Sequence, residues 1–387
     1  MDLSYILNEL GEDRENYYNA MTPPIMQTSN FKSNTVEDLR KGLANEFGNF
    51  LYSRGQNPTV QILRKKMAAL DAAEDCLVFN SGAAAIFAAV IAHVKSGDHI
   101  VSVEKPYSWA QKIFDIILPK FGVSTTYIDG RYIENFERAI LPNTTLIYLE
   151  SPNSWTFALQ DLAAVAELAK AEGIVTLCDN SYCSPFYQKP IQLGIDLCLQ
   201  SATKYISGHS DTVAGILTGS AAAIKHIFST EYFGIGSGVQ PFNAWLLLRG
   251  LRTLSLRLTY CSKSTQQVYE FLKQHDQVEE VTFPGAKDFP QAELVKKQMK
   301  GACGLLSFVL KSNAVEDIER FCNKLKHIIM AVSWGGFESL IIPACATMPR
   351  AHFNASDKAH RLIRLYVGME EPEYIINDLN QALSLPS

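Results

Sequence analysis

The sequence predicts an α/β fold, in which a mostly parallel, doubly wound sheet domain is followed by a smaller C-terminal α+β domain. Over residues 56–238, short apolar runs alternate with helical stretches, a rhythm typical of parallel strands joined by crossover helices. Over residues 239–387 that alternation stops, and a long helical pattern precedes two isolated apolar runs. Residues 1–55 are polar and irregular, and we therefore expect an N-terminal arm there.

The sheet domain contains seven short runs of the β type, several of them separated by helical patterns. The predicted strands are residues 76–79, 100–103, 124–128, 146–149, 174–178, 195–200 and 215–218. The predicted helices are residues 60–70, an alanine-rich segment ending near residue 94, and residues 161–171. Because ligands bind at the carboxyl ends of the strands in such sheets, the residues just after each run are candidates for chemistry.

The C-terminal domain begins with a helix for which Pro241 suits the first turn. The helical pattern continues unbroken to about residue 272. Further strands are predicted at residues 305–310 and 362–367, and further helices at residues 315–325 and after Pro372.

Composition excludes several classes of protein. The formal net charge is −5 and 47% of the residues are hydrophobic, so the chain is globular and offers no basic face to nucleic acid. The N-terminus lacks a basic stretch followed by an apolar run, and we expect no signal peptide. The most apolar stretch, residues 83–92, is too short to span a membrane.

The cysteines predict a reducing compartment. There are eight, none in a C-x-x-C pair and most inside apolar runs, where a thiol behaves as a small hydrophobic group. Reduced thiols in a cytoplasmic protein are therefore favoured over disulfides or zinc. The histidines are scattered without the spacing of metal ligands, and we expect no bound metal.

Two predicted strands are followed by residues that suit pyridoxal 5′-phosphate (PLP) chemistry. Asp179 lies just past one run and Lys204 just past the next. PLP enzymes need a lysine amine that bonds to the cofactor aldehyde as a Schiff base. They also need a carboxylate that keeps the pyridine nitrogen protonated, so that the ring accepts electrons. Asp179 alone indicates a turn and Lys204 alone a surface lysine, but their joint placement favours a PLP site.

Residues around this pair offer donors for a phosphate. Ser201 and Thr203 place two hydroxyls close to Lys204, at a spacing that suits a phosphate. Gly82 and Ala83 begin the alanine-rich helix after a predicted strand, where backbone amides and the helix dipole favour an anion. Small residues at such a turn often serve packing alone. The start of this helix therefore supports a phosphate site only in combination with Lys204.

The arm contains a further candidate at Tyr52 and Arg54, because a phenol and a guanidinium are good phosphate donors. A solvent-exposed turn with no binding role is an equally favoured interpretation of Tyr52 and Arg54. The glycines at 234, 236 and 238 resemble a dinucleotide-binding pattern. They lack a clear preceding strand and the acidic residue that a ribose would need, and we interpret them as a flexible connection between domains.

A series of motifs resembles one family over nearly the whole chain. In order, the motifs are QTSNF, YSRGQNPT, NSGAAA, LESP, CDNSY, SATKYISGHSD, RGLRTLSLR, SWGGFESL and LIRLYVGME. They resemble the PLP-dependent enzymes of cysteine and methionine metabolism, the trans-sulfuration family, with a local likeness to the bacterial cystathionine β-lyases. The resemblance implies the aspartate-aminotransferase-type fold (fold type I). It also implies a homo-oligomer with shared active sites, usually a tetramer built from two dimers.

The resemblance implies roles for individual residues. Lys204 carries the cofactor as a Schiff base, Asp179 partners the pyridine nitrogen, and Tyr107 stacks on the cofactor ring. The residues implied to bind the phosphate are Ser201, Thr203, Gly82 and Ala83, together with Tyr52 and Arg54, which reach the phosphate of the neighbouring subunit.

Arg364 and Ser333 are implied to bind the α-carboxylate of the substrate. The residues support this independently for Arg364, because its strand is otherwise apolar and an arginine there needs a partner. A carboxylate bound through two hydrogen bonds is the natural partner, and a structural ion pair is the alternative.

The predicted reaction is β-elimination of cystathionine or a similar thiol amino acid to pyruvate, ammonia and a thiol. Trp334 in SWGGFESL resembles the β-lyases, and Ser154-Trp155 replaces the asparagine–proline pair common in γ-type members. Val332 instead resembles the methionine γ-lyases, because cystathionine γ-lyases carry glutamate there and β-lyases often tyrosine. YSRGQNPT is closer to the γ-type pattern, and Trp109 stands where methionine γ-lyases carry cysteine.

Two alternatives therefore stay open. One is a γ-acting enzyme, which would be a cystathionine γ-lyase, a cystathionine γ-synthase or a methionine γ-lyase. The other is a PLP-binding regulatory protein with residual lyase activity, which the intact set of Lys204, Tyr107 and Asp179 disfavours.

Overall fold

The computed structural model describes residues 1–384, which form two compact units. The first unit comprises Met1–Asn153, Ala158–Ser207 and Asp211–Arg252, and the second comprises Ser154–Phe157, Gly208–Ser210 and the chain from Thr253 onward. The arm predicted at residues 1–55 belongs to the first unit. The predicted three-part division of the chain stays a prediction.

The first unit is built on a seven-stranded sheet. Its strands are β1 (Asp75–Phe79), β2 (His99–Val103), β3 (Ser124–Ile128), β4 (Thr144–Glu150), β5 (Val175–Asp179), β6 (Leu197–Ser201) and β7 (Gly215–Gly219). They lie in the order β1-β7-β6-β5-β4-β2-β3. Only β7 runs antiparallel to its neighbours. The predicted mostly parallel sheet is confirmed, and each predicted strand falls within two residues of an observed one.

The helices of the first unit precede, separate and follow these strands along the chain. They are α1 (Leu3–Asn8), α2 (Val36–Ala44), α3 (Pro58–Asp71), α4 (Gly82–Ile91), α5 (Ser108–Lys112), α6 (Ile133–Ala139), α7 (Leu162–Glu172), α8 (Ser184–Tyr187), α9 (Ala221–Ile227), α10 (Phe233–Ile235) and α11 (Pro241–Leu251). Local chemistry fixes several starts. The side chain of Ser81 accepts a hydrogen bond from the backbone N–H of Ala84 at 3.1 Å, which caps α4. Pro241 lies in the first turn of α11 as predicted.

Apolar side chains cover both faces of the sheet. Along β4, Leu146 and Tyr148 belong to one buried cluster, whereas Ile147 and Leu149 belong to another. Alternate residues of a strand point to opposite faces, so the clusters lie on the two sides. Helix α4 contributes to the first cluster and α7 to the second, which is the doubly wound arrangement.

The second unit contains a five-stranded sheet in the order β10-β11-β12-β9-β8. Its strands are β8 (Val278–Thr282), β9 (Leu305–Leu310), β10 (Ile329–Met330), β11 (Leu340–Pro343) and β12 (Leu362–Tyr366). Its helices are α12 (Leu254–Gln274), α13 (Ala292–Gln298), α14 (Val315–Lys324), α15 (Lys358–Arg361) and α16 (Pro372–Leu383). The predicted strands correspond to β9 and β12. Strand β8 was not predicted, because its exposed Glu279 and Glu280 interrupt the apolar pattern.

One helix was predicted to be continuous, and this prediction is wrong. The helix expected from Pro241 to about residue 272 is two helices, α11 and α12, with Arg252 and Thr253 between them. The hydroxyl of Thr253 accepts a hydrogen bond from Nε of Arg257 at 3.1 Å. The apolar pattern runs on through this point, so it does not reveal the break.

Among residues 1–384, no helix combines the length and the apolarity that crossing a bilayer requires.

Asp71, the last residue of α3, is a fully buried carboxyl group. Nε2 of Gln200 donates to its two oxygens at 2.8 and 2.7 Å, and the hydroxyl of Thr218 donates at 2.9 Å. Burial raises the pKa of Asp71 to about 7, although these hydrogen bonds and the charge of Lys189 act in the opposite direction. The folded protein therefore favours the protonated acid at this position.

We expect Asp71→Asn to reduce the loss of stability that occurs as the pH rises from 3.8 to about 7. Because the folded-state pKa lies above the ordinary value of 3.8, this group's contribution is full below that value and is lost as the pH rises through about 7. Between roughly pH 5.5 and 8 the loss is on the order of 2 kcal/mol. Melting temperatures of both proteins at the two pH values measure it, and parallel pH profiles would contradict the assignment.

Candidate active site

Asp179 ends β5 as a buried carboxylate, 7% exposed. The backbone N–H of Ser181 donates to its Oδ1 at 2.9 Å, and the Ser181 hydroxyl bonds to it as well. Burial raises the pKa of Asp179, while the hydrogen bonds from Ser181 and the positive charge of Lys204 lower it. Because burial disfavours the charged form, a nearby cation is needed to keep the Asp179 carboxylate ionised.

Lys204 lies in the turn that follows β6, close enough for its charge to act on Asp179. Its backbone N–H donates to the carbonyl of Ser201 at 3.0 Å, which tightens the turn. The backbone N–H of Ser201 donates to the Ser181 hydroxyl at 2.7 Å. Ser181 therefore links the carboxylate of one strand end to the turn that carries the lysine.

Gly82 provides a close approach between the start of α4 and the end of β6. A Cβ atom at Gly82 would lie 3.2 Å from Cβ and 3.3 Å from Oγ of Ser201. The amides of Gly82 and Ala83, the first two residues of α4, lie at a helix N-terminus, where a phosphate is favoured. Thr203 is held beside β7, since its Oγ1 accepts from the backbone N–H of Ala214 at 3.0 Å.

Tyr107 is held by Glu150. Its backbone N–H, at the N-cap of α5, donates to Oε2 of Glu150 at 2.6 Å. Glu150 ends β4 directly opposite Asp179 in the β4–β5 register and is itself buried. Burial, then the negative charges of Asp179 and Glu150, raise the pKa of the Tyr107 phenol. The phenol is therefore a proton donor at neutral pH rather than a phenolate.

Tyr52 and Arg54 lie in the arm and are both exposed. The guanidinium carbon of Arg54 lies 5.5 Å from the ring centroids of both Tyr52 and Phe233. Their predicted role concerns a neighbouring subunit and stays a prediction.

The predicted substrate residues belong to the second unit. Arg364 lies in β12 and is 8% exposed. Its guanidinium carbon lies 4.5 Å from the ring centroid of Trp155, and its Nη1 donates to the carbonyl of Ser154 at 3.2 Å. Ser333 has a left-handed backbone with φ of 85° and precedes the buried Trp334.

Three residues near the predicted site residues were given no binding or catalytic role from the sequence: Ser181, Glu150 and Trp155. Ser181 follows Asp179 by two positions, a spacing at which aspartate bonds to the backbone, so a signal existed. Glu150 directly follows the strand predicted at residues 146–149. It therefore lies at a strand end, where ligand-binding residues are expected. The stacking of Trp155 on Arg364 joins segments far apart in the chain, and the sequence carries no signal for it.

The donor set of the first unit fits PLP. The carboxylate of Asp179 suits a protonated pyridine nitrogen, and the lysine amine suits the aldehyde. The close packing of Gly82 on Ser201 leaves the helix N-terminus of α4 and a hydroxyl side by side for a phosphate. The parallel sheet and these strand-end residues together are those of a fold type I PLP enzyme.

Comparisons with known proteins extend this conclusion. Residues 6–384 match the model of the family described as Cys/Met metabolism PLP-dependent enzyme. The chain belongs to that family, whose members are PLP-dependent, and it is a PLP-dependent carbon–sulfur lyase of the trans-sulfuration type.

Several relatives are similar over nearly their whole length. The L-methionine gamma-lyase of Treponema denticola is 38% identical over 95% of this chain and 94% of its own. The cystathionine gamma-lyase of Homo sapiens is 35% identical over 97% and 91%, and the cystathionine beta-lyase MetC of Bacillus subtilis is 36% identical over 94% and 92%. The crystal structure of metB from Corynebacterium glutamicum superposes with a TM-score of 0.91 at 32% identity, covering 99% of this chain and 98% of that chain.

We expect Asp179→Asn to lower kcat by about ten- to a thousandfold, which corresponds to roughly 1–3 pKa units of lost charge interaction. The amide keeps the shape of the side chain but has no charge to offset a protonated ring nitrogen. Steady-state kinetics on a thiol amino acid measure the effect. Asp71→Asn is the matched control, since it removes an equally buried carboxyl outside this site. An unchanged rate in the Asp179 variant would remove Asp179 from the role.

Proposed function

We propose that this protein catalyses β-elimination of cystathionine, or of a similar thiol amino acid, to pyruvate, ammonia and a thiol. The lyase chemistry in this proposal rests on the buried carboxylate of Asp179 beside Lys204: burial raises the pKa of Asp179, while hydrogen bonds from Ser181 and the charge of Lys204 act in the opposite direction. Such a pair at neighbouring strand ends suits a cofactor that bonds to an amine at one end of its ring and needs a counter-charge at the other.

When bound, PLP supplies an aldehyde that bonds to amines and a ring that accepts the electrons released at the substrate Cα. The chain's own residues handle the protons. Lys204, once its amine is released, removes the α-proton as general base. Asp179 holds the ring nitrogen protonated. As the bond between Cβ and sulfur breaks, Tyr107 or Lys204 donates a proton to the leaving sulfur, and the raised pKa of Tyr107 keeps its phenol protonated for this step.

Hydrogen-bond donors orient the two anionic groups. We assign the cofactor phosphate to Ser201, Thr203, Gly82 and Ala83, which the start of α4 and the end of β6 bring together. We assign the substrate α-carboxylate to Arg364 and Ser333, which belong to the second unit. A guanidinium offers a planar fork that matches a carboxylate.

Trp334 and Trp155 favour the β reaction over the γ reaction. Trp334 is buried in a segment that resembles the β-lyases, and the cystathionine beta-lyase MetC of Bacillus subtilis is 36% identical.

γ-Elimination is the second candidate. Two relatives named L-methionine gamma-lyase, from Treponema denticola and Porphyromonas gingivalis, are each 38% identical over 95% of this chain. Val332 resembles the methionine γ-lyases, and the YSRGQNPT segment is closer to the γ-type pattern.

The proposed assembly is a homotetramer of two dimers, with Tyr52 and Arg54 of each chain reaching the phosphate of its neighbour. The exposure of both residues is consistent with this role. We also propose a cytoplasmic location, because all eight cysteines are free thiols, a state that a reducing compartment maintains.

The products formed from L-cystathionine distinguish the two reactions. β-Elimination gives pyruvate, ammonia and homocysteine, and we expect these with the purified holoenzyme. Formation of 2-oxobutyrate and cysteine would overturn the β assignment and establish the γ reaction. L-Methionine, which has no thiolate on Cβ, is the matched control substrate and should yield no pyruvate.

A further inference from the structure

We propose that Trp155 is a positioning residue that holds the guanidinium of Arg364 in the orientation that binds the substrate α-carboxylate. The proposal rests on the function proposed above, because that function assigns the carboxylate to Arg364. It adds a residue in the segment 154–157 that determines how tightly amino acids bind.

The contact between the two side chains is close and shielded from water. The guanidinium carbon of Arg364 lies 4.5 Å from the ring centroid of Trp155, within the range in which a cation is attracted to an aromatic face. Arg364 is 8% exposed and Trp155 half-buried. Such an interaction strengthens as the cation is desolvated, so the stack constrains the guanidinium plane.

The sheet of the second unit fixes the backbone that carries the indole. Ser307 in β9 lies directly opposite Arg364 in β12, and its hydroxyl donates to the carbonyl of Trp155 at 3.1 Å. Nη1 of Arg364 donates to the carbonyl of Ser154 at 3.2 Å. Phe157, two residues on, is fully buried with φ of 56°. Cross-strand neighbours therefore hold two successive carbonyls of one loop.

The stack orients the arginine without competing for its donors. The guanidinium carbon of Arg364 lies over the indole ring, whereas a carboxylate binds the N–H groups at the edge of a guanidinium. An arginine whose plane is already fixed loses less conformational freedom when the ligand binds. The effect of Trp155 should therefore depend on the ligand having a carboxylate.

The test compares Trp155→Leu with Trp155→Phe in the holoenzyme. Leucine fills space but has no aromatic face, whereas phenylalanine keeps one. The probes are L-alanine, which lacks a leaving group, and L-alaninamide, which lacks the carboxylate, both titrated by calorimetry. We expect Trp155→Leu to weaken L-alanine binding about three- to thirtyfold, with L-alaninamide unchanged and Trp155→Phe closer to wild type. In turnover, KM should rise by more than kcat falls.

Arg364→Gln separates failure of this inference from failure of the proposed function. If Arg364→Gln abolishes the preference for L-alanine over L-alaninamide but Trp155→Leu leaves it intact, the role of Trp155 is contradicted and the assignment of Arg364 stands. If Arg364→Gln leaves the preference intact, the assignment of Arg364 fails. Equal weakening of both probes by Trp155→Leu indicates a structural role only and overturns the inference. Trp155→Met replaces the leucine variant if that variant does not fold.

Discussion

Asp179 places a carboxylate where water scarcely reaches it, and burial alone drives such a group toward its neutral form. Hydrogen bonds from Ser181 and the charge of Lys204 act against this tendency. The same contacts connect two neighbouring strand ends, because Ser181 also accepts from the backbone of Ser201. The rest of the site depends on this buried carboxylate and on the lysine amine in the adjoining turn.

The surrounding fold maintains this arrangement from three directions. Parallel pairing of β4, β5 and β6 brings Glu150, Asp179 and Ser201 to one edge of the sheet. Glu150 then holds the backbone of Tyr107, while the absence of a side chain at Gly82 lets α4 begin against Ser201. The sheet is rigid because apolar clusters cover both of its faces. Relatives with three different reaction names share this fold at 35–38% identity, so the choice of reaction depends on side chains outside this common frame.

Sequence reasoning predicted the parts of the molecule that depend on local patterns. Apolar runs identified β1 to β7, and the rule that ligands bind at strand ends predicted Asp179 and Lys204 as site residues. It missed features set by contacts across the chain. The helix break at Thr253 lies inside an unbroken apolar pattern, two exposed glutamates interrupt the pattern of strand β8, and the contact of Trp155 with Arg364 joins distant segments. Nothing in a hydrophobic pattern encodes these contacts.

The central claim is that Lys204 is the amine that bonds to the cofactor next to the carboxylate of Asp179. Reduction of the holoenzyme with borohydride, followed by proteolysis and mass spectrometry of the peptides, tests it most directly. We expect a single stable phosphopyridoxyl adduct on the peptide that contains Lys204. An adduct on a different lysine, or no adduct at all, would contradict it.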